Sequence, residues 1–452
     1  MAVANAGSRR TQFCPSGPFG LLGIFERAAP ARRCHQEAKC PSIQSFCRLA
    51  GPRERGLFKA FADGVEGYTP AMLHLLVSFF LSLFVSLAVI RSSHTHAHLS
   101  GDADLSGPQK FHARPVPRIG GLGIYLGLLA SAVAAWQQGM SDASLGFALL
   151  LCGLPAFGAG LIEDLTKKVS PTKRLLATAL SAALAIWVLD ATITRSGIAG
   201  LDYLLTYSAI AAAVTIVAVA GVANSVNIID GFNGLSSMCV SLMLLVLGYV
   251  AYQVGDIELA SWALAGIGAS LGFFVWNFPA GLIFLGDGGA YFLGFLFAEI
   301  SILLIARHPQ VSPLFALLVG IYPVFETLFS IYRRRFIRAT PPGLPDGIHL
   351  HSLIYRRLMR WAIGAQDART LTRRNSFTAP YLWMLCITSL VPAVLFWNST
   401  PILLGCLLLF CVIYVGLYWR IVRFRTPKWL VFRATGSHAR RARAATPPGK
   451  HE

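Results

Sequence analysis

The sequence predicts an all-α integral membrane protein of about eleven transmembrane helices, with its chemistry gathered in the loops of one face. Three observations carry this. Of 452 residues, 55% are hydrophobic and 13% charged, where a soluble domain has about 25% charged residues. Apolar runs long enough to cross a bilayer, roughly 20 residues, recur along the chain, and the mean hydropathy is +0.58. Lysine and arginine gather in alternate connections, the pattern that orients membrane proteins. The net charge of +18 therefore belongs to loops and tails, and gives no reason to expect a nucleic-acid partner.

Residues 1–71 mix Arg, Pro, Gly, Cys and Ser without a sustained apolar period. They lack the charged, apolar and cleavage-site order of a signal peptide. Two readings compete: a disordered or accessory extension, or a start placed upstream of the natural one at Met72. The abrupt apolar run from Leu73 favours the second. Spans are expected at 73–91, 119–136, 144–162, 174–191, 204–223, 236–254, 258–276, 288–307, 313–332, 381–398 and 400–420, the last two as a tight hairpin. Residues 72–420 thus form the membrane domain and 421–452 a basic tail. Cys152, Cys239, Cys386, Cys406 and Cys411 fall in apolar runs, where free cysteine behaves as a small hydrophobe. Cys14, Cys34, Cys40 and Cys47 show no convincing metal spacing.

The first connection carries Arg91, Lys110, Arg114 and Arg118; the third Lys167, Lys168, Lys173 and Arg174; the ninth a long arginine series from Arg333 to Arg374. The even connections are short and nearly free of Lys and Arg. Odd loops and the C-terminus are therefore expected in the cytoplasm. A basic 71-residue extension would then lie on the opposite side, which also favours Met72.

Every polar constellation falls in an odd loop. The densest is Asn224, Ser225, Asn227, Asp230 and Asn233, set between two apolar runs with Gly231 and Gly234. A single helix cap needs one such residue, and an ionisable group at such a place is a functional candidate. The first loop combines Lys110, His112, Pro115, Pro117, Arg118 and the pair Gly120-Gly121. A positive anchor explains the charges, but not the prolines, histidine and glycines together. Glu163-Asp164 close the third span; a solvated turn is the plain reading, yet a carboxylate at a helix C-terminus opposes the macrodipole. The seventh loop runs from Asn277 through Phe284 to Asp287 between glycines. Asp164, Asp230 and Asp287 suit a hard cation such as Mg²⁺, which takes a few carboxylates plus substrate phosphates. The ninth loop offers Asp346, His349 and His351. Zinc would need further ligands, so phosphate contact is the expected role.

In order and spacing, these motifs resemble the polyprenyl-phosphate N-acetylhexosamine-1-phosphate transferase family, from about residue 75 to 420. The carried elements are Lys110-Phe-His112 with Pro117-Arg118-Ile-Gly120-Gly121, Glu163-Asp164 with Ser170-Pro171 and Arg174, Asn224 to Leu235, Asn277 with Phe284-Leu-Gly286-Asp287, and Asp346 with His349-Leu-His351. Three departures stand out. The family's paired aspartates appear as Glu163-Asp164, its aspartate after Asp-Gly-x is Asn233, and its histidine cluster reads His-Leu-His-Ser, ending at Ser352. The thinner histidine cluster suits the O-antigen or enterobacterial-antigen branch over the peptidoglycan branch.

The resemblance implies attack by a polyprenyl (undecaprenyl) phosphate oxygen on the β-phosphorus of a UDP-amino sugar, releasing UMP. It implies Asp287 as principal metal ligand for Mg²⁺, or Mn²⁺ in its place, with Asp164 binding metal or orienting the nucleophile. Glu163 and Asp230 complete the catalytic set. Lys110, His112, Asn224, Asn227, Gly231, Phe232, Asn233, Asn277 and Phe284 would surround the uridine and diphosphate, and His349 and His351 the phosphates. It also implies a multi-pass protein of the bacterial inner membrane, with a cytoplasmic active site and a homodimer as assembly. The competing class is a transporter or flippase of an anionic lipid; such folds often show internal repeats and midplane charges, whereas here the charges cluster at one face. A chain beginning at Met72 should insert and work like the full chain. Loss of function with expression intact would make residues 1–71 a functional segment.

Overall fold

The computed structural model describes residues 52–93, 116–337, 348–359 and 368–423, with side chains from Ala71 onward. Lys110, His112 and Asp346 lie outside these residues, as do the four N-terminal cysteines. The chain divides into two units, 1–62 and 63–452, and the second contains every apolar span.

Among the described residues the fold is all α, and the only β-type pairing is an isolated bridge at Pro117. The helices are α1 (Pro52–Arg91), α2 (Gly121–Gln137), α3 (Ala143–Thr166), α4 (Pro171–Leu189), the short α5 (Ala199–Leu205), α6 (Ser208–Ile229), α7 (Leu235–Gln253), α8 (Ile257–Asn277), α9 (Gly286–Arg307), α10 (Pro313–Val319), α11 (Ile321–Tyr332), the single turn α12 (Leu350–Leu353), α13 (Ala368–Leu395) and α14 (Thr400–Val422). π-Helical turns follow α11 and α12.

Nine described helices are long and apolar enough to span a bilayer, the first over Ala71–Arg91. The remaining two expected spans depart from a simple rod. α2 has 17 residues, about 26 Å at 1.5 Å per residue, short of a hydrocarbon core of about 30 Å. The run at 313–332 is two helices, α10 and the α11 segment, bent by 74°. Gly320 separates them, and Pro323 in the first turn of α11 has no N–H to donate back.

Helix ends follow local chemistry. Ser170 accepts from the Lys173 N–H and Pro171 opens α4; Asp256 accepts from the Leu259 N–H at the start of α8. The α6 helix runs to Ile229, so Asn224, Ser225 and Asn227, expected in a loop, occupy its last turns. Their amides extend the helix because Asn224 and Asn227 find partners on α9, the Tyr291 hydroxyl and Asp287.

The α9 helix is the centre of the bundle. Of its apolar window, 89% is buried, against 22% for α14. Small residues let its neighbours approach, since close packing rather than hydrophobicity drives association in lipid. A Cβ on Gly160 of α3 would stand 2.5 Å from the Cα of Gly288. At the end remote from Asp287, His74 of α1 bonds Ser131 Oγ at 2.7 Å and Asp142 Oδ2 at 3.0 Å, and Trp262 Nε1 donates to the Asp142 carbonyl at 2.9 Å. Four polar residues of α1, His74, Ser78, Ser82 and Ser86, are fully buried at four-residue spacing, with Ser82 donating to the Ala269 carbonyl of α8. Gly160→Ala should lower stability by about 1–3 kcal/mol through overpacking. Gly158→Ala, where the added methyl meets nothing within 4 Å, should be neutral. Thermal midpoints in detergent, read by gel filtration, check the contrast.

Candidate active site

The site forms where α3, α6 and α8 end and α9 begins. The segment before α9 pairs with the entry to α2: Phe284 N donates to the Pro117 carbonyl at 2.8 Å, and Gly120 N and Gly121 N donate to the carbonyls of Phe284 and Leu285 at 2.9 Å. This pairing draws Arg118 beside the start of α9. Gly286, at φ +75, takes the left-handed conformation that lets the chain turn into that helix.

Asp164 sits in the last turn of α3, 1% exposed. It accepts from the N–H of Asp287 at 2.9 Å through Oδ1 and from that of Gly288 at 2.9 Å through Oδ2. A carboxylate at the end of its own helix is thereby spent on the N-terminus of another, where unsatisfied donors and the positive dipole end favour an anion. Asp164 does not line the cavity. Glu163 does, and accepts from Val169 N at 2.6 Å, fixing the turn after α3.

Asp287 faces cations and donors. Asn227 Nδ2 donates to Oδ1 at 2.9 Å, Arg118 lies 3.7 Å from the same oxygen, and Arg174 pairs with Oδ2. The guanidinium of Arg174 stands 5.8 Å from the Tyr291 ring, and the Tyr291 hydroxyl donates to Asn224 Oδ1 at 3.0 Å. Asn224 thus supports the wall from behind and is absent from the lining.

The cavity so enclosed measures about 410 Å³ and is lined by Arg118, Glu163, Arg174, Asn227, Asp230, Gly231, Phe232, Asn233, Asn277, Phe284, Asp287, His349, His351, Ser352 and Asn375 among others. Several of these amides are committed to backbone. Asn277 accepts from Gly234 N at 2.5 Å and donates to the Ile283 carbonyl at 2.7 Å. Asn233 receives support from α13, its N–H donating to Asn375 Oδ1 at 2.8 Å and its Nδ2 to Ser376 Oγ at 3.0 Å. Phe232 packs edge-on to His351 at 5.4 Å, and His349 stacks on His351 at 5.0 Å.

Asp230 takes a hydrogen bond from Ser236 Oγ. Burial pushes its carboxyl up to about 6, against the lowering influence of Ser236 and Arg118. Among the described residues, no three His, Cys, Asp or Glu side chains converge as a ready metal cage.

Sequence reasoning left Arg174 as a motif element without a place in the site, and missed Asn375 and Glu326. Each carried a signal. Arg174 puts a cation in the first turn of a helix, against the dipole. Asn375 follows two arginines at the head of an apolar run, and Glu326 is a lone carboxylate inside another.

The comparisons with known proteins can be set against this geometry. The family model described as glycosyl transferase family 4 matches residues 146–305, which include α6 to α9. A relative from Bacillus subtilis, a probable undecaprenyl-phosphate N-acetylglucosaminyl 1-phosphate transferase, is 28% identical over 65% of this chain and 79% of its own. The Haemophilus influenzae undecaprenyl-phosphate α-N-acetylglucosaminyl 1-phosphate transferase is 29% identical over 78% of this chain and 96% of its own. A decaprenyl-phosphate N-acetylglucosaminephosphotransferase from Mycobacterium leprae is 26% identical over 68% and 79%. The chain is similar to polyprenyl-phosphate N-acetylglucosamine-1-phosphate transferases over most of its length. The region matched by the family model carries both carboxylates of the α3–α9 junction, Asp164 and Asp287.

Because burial favours the neutral form, Asp230 should stay protonated below about pH 6. A folded pKa above the unfolded value means stability present at low pH and lost as pH rises through about 6. Asp230→Asn should therefore raise the thermal midpoint at pH 8 and leave it unchanged at pH 4. A carboxyl infrared band titrating near 4 would remove the basis for this.

Proposed function

We propose that this chain transfers N-acetylglucosamine 1-phosphate, or a close N-acetylhexosamine analogue, from its UDP-sugar to polyprenyl (undecaprenyl) phosphate, releasing UMP. The product would start a lipid-linked cell-envelope polysaccharide such as O-antigen. The supporting observation is one polar cavity of about 410 Å³ at the end of an apolar bundle, where Asp287 and Asp230 stand beside Arg118, Arg174 and His349. An acceptor with an apolar tail reaches that place from the bilayer, and a charged donor from water.

A phosphate oxygen of the lipid attacks the β-phosphorus of the donor. That P–O bond forms as the bond from β-phosphorus to the bridging oxygen breaks, and UMP departs with the bonding pair. Such a transfer depends on positioning and charge neutralisation, and a lipid phosphate is already an anion near neutral pH. The guanidinium groups of Arg118 and Arg174 neutralise phosphate oxygens, and Arg174 is steadied by Asp287. Asn233 and Asn277, anchored to backbone and α13, shape the donor side, with Gly231, Phe232 and Phe284 beside them.

The residues present fit a divalent cation. Asp287 and Asp230 bring the hard oxygens that Mg²⁺ takes to one cavity lining, and a bound ion would take over the Asp287 oxygens now paired with Arg118 and Arg174. Asp287 would hold the ion, with Asp164 fixing the backbone that carries it. When bound, Mg²⁺ supplies Lewis-acid polarisation and charge neutralisation at the diphosphate.

Arg333 and Arg356 belong to the connection that carries His349, with Arg374 at the head of α13, and Lys167 and Lys168 lie in the turn between α3 and α4, with Lys173 in the first turn of α4. By the positive-inside rule the cavity faces the cytoplasm, in keeping with a bacterial inner-membrane enzyme. A homodimer is the assembly proposed.

The test is incubation of purified protein with UDP-N-acetylglucosamine, polyprenyl phosphate and Mg²⁺. UMP release is expected, and lipid movement without UMP would favour the transporter reading. Chelation should abolish release and added Mg²⁺ restore it. Asp287→Asn and Asp164→Asn should each reduce turnover by about two orders of magnitude, the several kcal/mol a metal site supplies. Glu163→Asp should stay within a few-fold and Glu163→Gln fall moderately. If Glu163→Gln is inactive while Asp164→Asn is mild, the roles of the two carboxylates are reversed.

A further inference from the structure

Glu326 lies in the apolar helix α11, 1% exposed. A carboxylate so buried requires donors, and three reach it from two other elements. Oε1 accepts from His349 Nδ1 at 3.0 Å and from Leu350 N at 3.0 Å. Oε2 accepts from the Tyr414 hydroxyl of α14 at 2.7 Å. Glu326 does not line the cavity, whereas His349 does.

This arrangement defines the histidine. With Nδ1–H bonded to Glu326, the ring keeps one orientation, and the edge it turns away from Glu326 carries Nε2, which meets a phosphate oxygen as Nε2–H in the doubly protonated ring that the facing carboxylate stabilises. A carboxylate behind an imidazole commonly serves this purpose, setting which nitrogen addresses a ligand. Stacking on His351 at 5.0 Å and 14° between planes holds the ring from its face. The Leu350 N–H bonded to the same oxygen fixes the backbone beside the ring, so side chain and main chain are registered to a single atom.

We propose that Glu326 is a positioning residue of the transferase, acting through His349 to present Nε2–H as a donor to a substrate phosphate. The proposal rests on the transferase reading for its substrate, but its geometry can be tested apart from turnover.

Two measurements decide it. In the first, UMP release is compared for Glu326→Gln, His349→Ala and the double variant, each checked for folding by gel filtration. Glu326→Gln should lower kcat/KM about tenfold, as loss of an outer partner of a functional histidine does. In the His349→Ala background the same change should alter it less than about twofold, since a residue acting only through another has nothing left to act on. A purely structural role would reduce activity equally in both backgrounds and overturn the proposal, as would wild-type activity in Glu326→Gln. In the second, protein labelled with [15N]histidine gives the His349 signals, identified by their absence in His349→Ala. They should show a protonated Nδ1 in the wild type that Glu326→Ala loses. An unchanged spectrum overturns the proposal whether or not the wild type releases UMP. A wild type that releases none overturns the transferase reading instead, with the nitrogen spectrum still deciding the Glu326–His349 pairing. Should Glu326→Ala fail to fold, the activity cycle with Glu326→Gln decides.

Discussion

The two hydrogen bonds from the first N–H groups of α9 to Asp164 hold the site together. A buried backbone donor left without its acceptor costs about 1–3 kcal/mol, so both N–H groups hold Asp164 in place. They fix the start of the most enclosed helix against the end of α3. Asp287 belongs to that first turn, so its direction follows from Asp164. Arg118 and Arg174 then order themselves around Asp287, and the glycine contact between α3 and α9 gives the bond its reach. Removing the carboxylate would leave two backbone donors buried at the point where four segments converge.

Much of this was legible. Alternating apolar runs and loop charges gave the membrane class and the number of apolar segments, because bilayer thickness imposes length on each span. The clustering of Asp230, Asn233, Asn277, Asp287 and His349 was legible because polar groups set between apolar runs are costly unless a partner or ligand engages them. What stayed hidden depends on direction in space. Neighbouring residues on a helix point about 100° apart, so Glu163 and Asp164 look equivalent in sequence yet one lines the cavity and the other is buried behind it. Asn224 and Asn227 differ likewise, one bonding Tyr291 and the other Asp287. The bend at Gly320 was invisible to hydropathy, which sums composition over the run and does not register where its axis turns.

The site is also more rigid than a set of loops suggests. Asn277, Asn233 and Asp164 each use their polar atoms on another segment of the chain, so the cavity walls are tied before any ligand arrives. Ordering of flexible segments is a large share of what binding must overcome, and here much of it is met by folding.

The weakly buried helix α14 has an unexpected part in this. Little of α14 is buried, yet Tyr414 reaches Glu326, Tyr418 accepts from Arg333 Nη1 at 2.7 Å, and its terminal carbonyl at Ile421 accepts from Arg357 at 2.8 Å. The histidine-bearing segment is thus secured by residues translated after it. The carboxylate side of the cavity is contributed by α3 to α9, and the histidine side lacks these anchors until α14 has been made. A nascent chain stalled before α14 would carry a half-built cavity, which ties completion of the site to a helix that contributes no residue to its lining.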